Sequence, residues 1–288
     1  MPPKRQSKKN ATSSTIASLK PLEAFLKEQG INVDLNDFLK GGGRDLTNEE
    51  RAQDLFYEAM EAKTIKRADV LVKQALELDP DNADARVWML GGLYMTADQR
   101  AEKLRDIVEA AARKLGAETF KNDAGNFWGF IETRPYMRAR AQLAGELIEA
   151  GRMEEAAKEC EGMLELNPND NQGMRYTLLT CYLSLNKQSE AQRLFKQYNE
   201  DSVVFAWGKV LLCWLSPNKT GLEKALAEAR KANAHVECYL TGKEKIPKKK
   251  PPCYSMGSKE EAICYAESLV QAWNRHPEAL TWLREKAF

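Results

Sequence analysis

An internal repeat between residues 135 and 198 limits what this chain can fold into more than any other feature of its sequence. Small and apolar residues recur 35 positions apart within this stretch, as Leu143 and Leu178 illustrate. Such a period is typical of a helix–turn–helix unit that stacks on its neighbours. Gly151 and Asn186 occupy equivalent positions in the two copies, and both residue types accept the left-handed conformation that ends a helix. The sequence therefore predicts stacked helical hairpins.

Further helix pairs are predicted on both sides of this central repeat. On the N-terminal side, Thr47 and Glu50 have the spacing of a capping box, which predicts a helix that starts there. A second helix is expected to end at Pro80, because proline cannot continue a helix, and residues 82–115 predict another pair. On the C-terminal side, residues 205–233 continue the same small-residue pattern. The central repeat is thus one part of a longer helical array.

The spacing of two helix-ending prolines indicates an insertion. Pro80 and Pro168 lie 88 residues apart, which exceeds two repeat lengths by about 20 residues. Because Gly116 suits a helix end, the extra residues are expected at about 117–134. The complete prediction is a disordered basic tail (1–15), a helical segment with a glycine hinge (16–44), a repeat array (45–240), a basic proline-rich loop (241–257) and two C-terminal helices (258–288). Those two helices are expected to cover the exposed apolar end of the stack.

Composition and charge narrow the classes of protein to which this chain can belong. Its 43 basic residues nearly balance 42 acidic residues, so no global field would attract nucleic acid or lipid. Six cysteines without a C-x-x-C pair predict reduced, mostly buried thiols. No apolar run approaches the roughly 18 residues that a membrane span needs, and residues 1–14 lack the apolar segment of a secretory signal. An intracellular, cytoplasmic location without membrane contact is expected.

The repeat positions resemble those of the tetratricopeptide repeat family, whose helix pairs of about 34 residues stack into a right-handed superhelix with a concave groove. Three phrases are similar to tetratricopeptide proteins related to the suppressor of tumorigenicity 7 family: NFWGFIETRPYMR at 126–138, LNPNDNQG at 166–173, and YLTG at 239–242 before the basic loop. The resemblance covers roughly residues 45–285. It implies an all-α solenoid of helical hairpins, and for such a fold the expected function is a non-catalytic scaffold for protein or peptide partners.

The groove is where such a scaffold is expected to hold its partner. In the family's domains that clamp chaperone C-termini, lysine and asparagine line two first-helix positions and hold a carboxylate. This chain has Ala141 and Gly145 at those positions in one copy and Tyr176 and Thr180 in the next, so that clamp is absent. Such a groove favours an extended or helical peptide held by apolar contacts and hydrogen bonds. The predicted groove residues are Arg138, Gln142, Arg175, Tyr176 and Thr180.

Residues 127–140, where the insertion rejoins the array, form a second candidate site. Its candidate residues are Trp128, Glu132, Arg134 and Tyr136. A bidentate Arg134 or Arg138 paired with Glu132 could hold the loop, and this structural interpretation is favoured because an inserted loop must satisfy its own polar groups. Two alternatives stay open. One is a freed arginine that grips a carboxylate or phosphate of a ligand, and the other is an enzyme of unknown type built on Glu132, Arg134 and Tyr136.

Two lysine-rich segments favour a different alternative, a nucleic-acid or ribonucleoprotein adaptor. Each segment could bind phosphates weakly, with an affinity that falls as salt rises. The N-terminal patch could also serve nuclear import. The simpler interpretation is a solvated tail and a solvated loop. The candidate residues are Lys4, Arg5, Lys8 and Lys9 in the tail and Lys243, Lys245, Lys248, Lys249 and Lys250 in the loop.

Catalytic motifs are absent from the sequence. Its two histidines, His235 and His276, fall at predicted helix ends, where a cation suits the helix dipole. No Ser–His–Asp set, H-E-x-x-H motif or phosphate-binding loop occurs. The grouping of His235 with Cys238 and Cys253 fits no zinc class. The expectation is a protein that is not an enzyme, with no catalytic residue, no cofactor and no metal.

Overall fold

Thirteen α-helices and no strands make up the part of the chain that the computed structural model describes, residues 46–287. In chain order they are α1 (Asn48–Met60), α2 (Ile65–Leu78), α3 (Ala83–Gly91), α4 (Ala97–Asn122), α5 (Arg134–Glu149), α6 (Met153–Leu166), α7 (Met174–Ser184), α8 (Gln188–Gln197), α9 (Val203–Leu215), α10 (Leu222–Asn233), α11 (His235–Leu240), α12 (Lys259–Asn274) and α13 (Pro277–Lys286). Among these helices, none combines the length and the apolar character that crossing a membrane requires. The predicted tail with Lys4, Arg5, Lys8 and Lys9, and the predicted helical segment at 16–44, lie outside the described residues.

Ten of these helices pair into consecutive hairpins: α1/α2, α3/α4, α5/α6, α7/α8 and α9/α10. We refer to α1, α3, α5, α7 and α9 as the first helices and to their partners as the second helices. From α3 onward, successive first helices also pack on one another, α3 on α5, α5 on α7 and α7 on α9. The fold class predicted from the sequence, an all-α array of tetratricopeptide-like hairpins, is confirmed for the described residues.

The two central copies end their first helices in the same way. Gly151 and Asn186 have positive φ angles of 77° and 55°. In both copies the next residue donates its N–H to a carbonyl five residues back, at 2.8 Å. This bond satisfies a carbonyl that the end of the helix would otherwise leave unpaired. The predicted role of Gly151 and Asn186 is confirmed.

Side-chain caps start two helices where the sequence predicts them. Thr47 and Glu50 exchange the two bonds of a capping box, at 2.8 and 3.2 Å, and Ser258 caps α12 with a bond of 3.1 Å. The end of α4 differs from the prediction. Gly116 breaks the helix with φ 76° and ψ 157°, yet helical turns continue to Asn122. Glycine tolerates this backbone because it has no Cβ, so the inserted residues begin as helix rather than as loop.

One continuous apolar core runs from α3 to α13, and a smaller cluster fills the first hairpin. Ala144 of α5 and Ala156 of α6 are fully buried in the main core. Small side chains at such positions let two helices approach closely, as the repeat pattern predicts. Trp207 of α9 is also fully buried, and its indole N–H donates to the carbonyl of Asn233 at 3.0 Å.

The last two helices lie partly inside the array. Helix α12 packs across the first helices α7 and α9 and against α11, and α13 packs on α12 and α9. The sequence predicts a cover over the end of the stack, whereas α12 also extends along α7, one hairpin inside that end. Trp273 of α12 and Leu283 of α13 are fully buried. Both helices therefore belong to the core.

Candidate functional site on the first helices

The first helices share one face, which we name the first-helix face. One position marks it in each hairpin, eight residues before the second helix begins: Tyr57, Met89, Gly145, Thr180 and Trp214. The surroundings of this position change along the array. Gly145 is exposed, and a Cβ built there would meet no atom within 4 Å, whereas Thr180 is only 3% exposed. We therefore distinguish an open half on α1, α3 and α5 from a covered half on α7 and α9.

Helix α12 covers the second of these halves. The ring of Tyr265 meets the ring of Tyr176 edge-on, with centroids 6.0 Å apart, and Tyr176 meets Phe205 of α9 at 5.9 Å. Tyr254, from the loop before α12, hydrogen-bonds to Tyr265 with 2.7 Å between the hydroxyl oxygens. Burial raises the pKa of Tyr265, which keeps this hydroxyl neutral. Tyr176 thus packs against the chain's own helix, and Thr180, one turn further on, is closed to solvent.

Polar contacts fix both ends of α12. At its start, the buried carboxylate of Glu261 accepts from Asn233 Nδ2 at 2.9 Å and from a loop N–H at 2.8 Å. At its end, Gln271 donates to Glu149 of α5 at 2.7 Å. Just beyond, Nε2 of His276 lies 2.7 Å from a carbonyl oxygen of α7. Because these contacts reach the ends of α10 and α5, α12 is held across three hairpins.

Arg175, a predicted groove residue, is occupied within the protein. Its guanidinium contacts Asp170 at 2.8 Å and Glu200 at 2.9 Å, donates to the Tyr176 hydroxyl at 2.7 Å and stacks on that ring at 4.3 Å. Burial alone would raise the pKa of Glu200, but the hydrogen bonds from Arg175 and its neighbours outweigh burial and lower it. Arg175 therefore supports the covered half and offers no free charge to a ligand.

Arg138, the predicted groove residue on α5, is also paired. Its Nε donates to Asp84 at 2.8 Å, a second guanidinium nitrogen bonds the same carboxylate, and its charge lies 5.9 Å from the ring centroid of Tyr57. Asp84 accepts a further bond from Gln53 at 2.9 Å, so these contacts join α1, α3 and α5. Gln142, by contrast, is exposed on α5 one turn after Arg138. In the open half, Arg138 fixes the helices and Gln142 faces solvent.

The insertion folds back onto the array through its aromatic residues. Phe127 is fully buried, with its ring 6.1 Å from that of Tyr136, and its N–H donates to the carbonyl of Leu166 at 3.0 Å. Arg134 donates to the carbonyl of Trp128 at 3.0 Å and lies 5.5 Å from the centroid of the Trp128 ring. These contacts anchor the loop to α5 and α6. The buried Phe127 was not among the candidates, although its place beside Trp128 is a local signal for such an anchor.

Glu132 does not pair as the sequence suggests. Its side chain is exposed, while Arg134 bonds a backbone carbonyl and Arg138 bonds Asp84. Both arginines are thus occupied by acceptors other than Glu132. Burial raises the pKa of the Tyr136 hydroxyl, so this group stays protonated. The segment has the character of a packed anchor, and its geometry adds nothing in favour of the enzyme alternative.

The lysine-rich loop at 241–257 runs beside α12. Lys250 pairs with Glu267 of α12 at 3.1 Å, and Glu244 of the loop pairs with Lys259 at 2.7 Å. The remaining loop candidates are exposed: Lys243, Lys245, Lys248 and Lys249. Part of the basic charge of the loop is thus neutralised by α12 itself.

A cleft of about 780 Å³ between α8, α9 and α10 was missed by the sequence interpretation. Phe195, Leu212 and Ala225 line it together with Lys209 and Glu228, whose charged groups lie 3.7 Å apart. Its walls come from three separate helices, so no local pattern marks it. Only the unusually apolar sequence of α9 hints that this helix is flanked on several sides.

Only two of the six cysteines, Cys160 and Cys181, are buried in the core, and Cys253 is exposed, so the prediction of mostly buried thiols is wrong. Within the described residues, no group of three or more His, Cys, Asp or Glu side chains could hold a metal ion. Burial raises the pKa of the Cys181 thiol to about 12 and that of the Cys160 thiol well above its usual value. These two thiols are therefore chemically inert in the folded protein.

The central part of this fold matches a known protein family. Residues 147–203, from the end of α5 to the start of α9, match the family model described as Tetratricopeptide repeat. No curated protein matches the chain. Tetratricopeptide repeats are generally protein-interaction modules and typically non-catalytic, which supports the scaffold class at this coarse level.

Proposed function

We propose that this chain is a non-catalytic scaffold that binds a partner protein or peptide on the open half of its first-helix face, around Gln142 and Gly145. The match to the tetratricopeptide repeat family supports the class. The observation that carries the proposed site is the environment of Gly145, which faces open space while the equivalent Thr180 is closed beneath the chain's own helices. A repeated position that is covered in one half and bare in the other leaves room for a ligand.

The charges of the open half favour a ligand without strong charge. Arg138 is paired with Asp84, and Arg100 contacts Glu146 of α5 at 3.0 Å. A ligand carboxylate or phosphate would have to compete with these pairs, at the cost of leaving a protein carboxylate unpaired. The exposed amide of Gln142 instead suits backbone hydrogen bonds. A helical or extended peptide with apolar side chains is therefore the proposed ligand.

We include in this proposal the resemblance to tetratricopeptide proteins related to suppressor of tumorigenicity 7, because that group has the same helical-hairpin architecture. An intracellular, cytoplasmic location is part of it too, because free thiols persist in reducing compartments. The cysteines of the described chain are free, including the exposed Cys253.

Capture of partners from the native cell tests the proposal with three baits: wild type, Gly145→Tyr and Gly145→Ala. The tyrosine would fill the open position, whereas the alanine adds one methyl group into free space. We expect partners that bind wild type and Gly145→Ala alike but are reduced at least about tenfold on Gly145→Tyr. Equal capture by all three baits would overturn the proposed site.

The same experiment separates the scaffold from the nucleic-acid adaptor. Each capture is repeated with nuclease and at low and moderate salt. Partners that disappear with nuclease or salt but ignore the Gly145 variants would point to the exposed loop lysines instead, because phosphate contacts weaken as salt rises.

A further inference from the structure

Helix α12 is joined to the array by a long exposed loop. The segment between α11 and α12 is without helix and carries five lysines and three prolines between Lys243 and Pro252. A chain of this length can extend over roughly 60 to 65 Å, at about 3.3 to 3.6 Å per residue. Helix α12 can therefore leave the first helices while α11 stays in place.

The face that α12 turns to the core alternates small residues with large ones. Ala262 and Ala266 are fully buried and lie four residues apart, and Trp273 follows seven residues later on the same side. Alanines allow close approach of two helices but contribute little apolar area each. Leu269 is buried between Ala266 and Trp273, and Tyr265 packs on Tyr176 of α7. The contact with the first helices therefore combines close approach at the alanines with a few large side chains, and another helix with the same spacing can reproduce both.

The packing around α12 leaves several polar groups unsatisfied. Within the described residues, six buried side-chain polar atoms have no hydrogen-bond partner. Four of the six belong to α12 and to the helices that it contacts: Ser184 of α7, Trp214 of α9, Tyr239 of α11 and Trp273 of α12. A buried polar group without a protein partner contributes less to packing than a paired one does. The covered half is thus closed by a contact of imperfect polar fit.

We propose that α12 is an exchangeable ligand of the covered half. An amphipathic helix of a partner protein, with small residues four apart, a leucine three positions further on and an aromatic residue four beyond that, replaces it on α7 and α9, and α12 and α13 leave together. This inference rests on the proposed scaffold function and extends its site to Tyr176 and Thr180, which become partner contacts when α12 leaves. The polar contacts that fix the ends of α12, those of Glu261 with Asn233 and of Gln271 with Glu149, break when it does.

Hydrogen–deuterium exchange of the full chain tests whether α12 opens separately. Local opening exposes amides without global unfolding, and exchange rates report its free energy helix by helix. We expect the central amides of α12 and α13 to exchange at least about 100-fold faster than those of α7 and α9. Equal protection in all four helices would show that α12 opens only when the whole core does, and would overturn the inference.

A synthetic peptide with the sequence of residues 258–276 tests the exchange itself. Added to the full chain, it is expected to bind and to speed up exchange in the chain's own α12, while α7 and α9 stay protected. The same peptide carrying Ala266→Arg serves as the control, because a long charged side chain cannot enter the close contact. Failure of the first peptide to bind, or equal binding of the two, would overturn the inference.

These results are separate from the test of the scaffold itself. Partners lost on Gly145→Tyr with no binding of the peptide would keep the proposed function and reject exchange at α12. Binding of the peptide with capture indifferent to Gly145 would reject the open half as the site and keep the covered half.

Discussion

The open and covered halves of the first-helix face are built from the same hairpin but held in different ways. In the open half, ionic and polar contacts link successive first helices, with Arg138 between Asp84 and the ring of Tyr57. In the covered half, aromatic rings do so, with Tyr176 between Phe205 and Tyr265. The repeat thus sets the backbone of the face, and the side chains placed on it decide whether the chain covers that face itself.

The change Ala144→Asp would break the frame on which both halves depend. Ala144 is fully buried in α5, so the new carboxylate would have no partner and would cost about 3 to 5 kcal/mol. That loss is a large part of the roughly 5 to 15 kcal/mol by which a typical domain is stable. We expect the helical circular dichroism signal of this variant to be lost at a lower urea concentration than that of wild type. Ala156→Asp in α6 is expected to have the same effect. Ala227→Asp at an exposed position of α10 is the control, and an unchanged melting temperature in Ala144→Asp would mean that the repeat register is wrong.

Ala266→Asp would affect the covered half alone. The residue is fully buried in α12, and its charge is expected to drive α12 and α13 off the first helices while the hairpins persist. Trp273 would become exposed, so tryptophan emission should shift to longer wavelength with only a modest loss of helical signal. Complete loss of the helical signal would show that the array cannot stand without α12.

Replacing two glycines of the first helices with alanine should change the free energy of unfolding in opposite directions. A Cβ at Gly208 of α9 would lie 2.8 Å from a methyl group of Leu179, so Gly208→Ala is expected to destabilise by about 1 to 3 kcal/mol. At Gly145 the same change meets no atom and should stabilise by about 0.5 to 1 kcal/mol, because alanine favours the helix. Urea unfolding of the two variants measures both. The same sign for both would contradict the difference between the halves.

Acid should weaken the support beneath Tyr176. Arg175 lowers the folded-state pKa of Glu200 below its ordinary value of 4.5. The stability that this carboxylate contributes is therefore present above pH 4.5 and is lost as the pH falls through the folded-state pKa. Glu200→Gln removes this contribution at every pH. The urea midpoints of wild type and variant are therefore expected to differ at pH 7 and to converge in acid. Glu132→Gln, at an exposed position, is the control. A difference in urea midpoint between wild type and Glu200→Gln that grows in acid would contradict the lowered pKa of Glu200.

The hairpins could be predicted from sequence because their signals are local. The capping box at Thr47 lies within one helical turn, and Gly151 and Asn186 end their helices through bonds to nearby carbonyls. Because the sequence repeats, the interpretation of one hairpin also applies to the equivalent residues of the next. The kink at Gly116 shows the limit of such signals, since glycine marked a break but not what followed it.

The covered half could not be predicted because its contacts join distant parts of the chain. Gln271 meets Glu149 across 122 residues, and His276 meets a carbonyl of α7 across 93 residues. Arg138 likewise finds Asp84 across 54 residues, which is why its expected partner Glu132 was misjudged. The period of the repeat does not predict where a helix that follows a long loop, such as α12, will pack.

A zero-length crosslink between α12 and α5 tests the covered half most directly. Gln271→Lys would place an amine beside the carboxylate of Glu149, which Gln271 contacts at 2.7 Å, and carbodiimide would then join the two. The native pair of Lys286 with Glu223, at 2.8 Å, serves as the internal control. We predict that peptide mass spectrometry finds both crosslinks. A crosslink of Lys286 with Glu223 in the absence of one between positions 271 and 149 would show that α12 does not lie along the first helices.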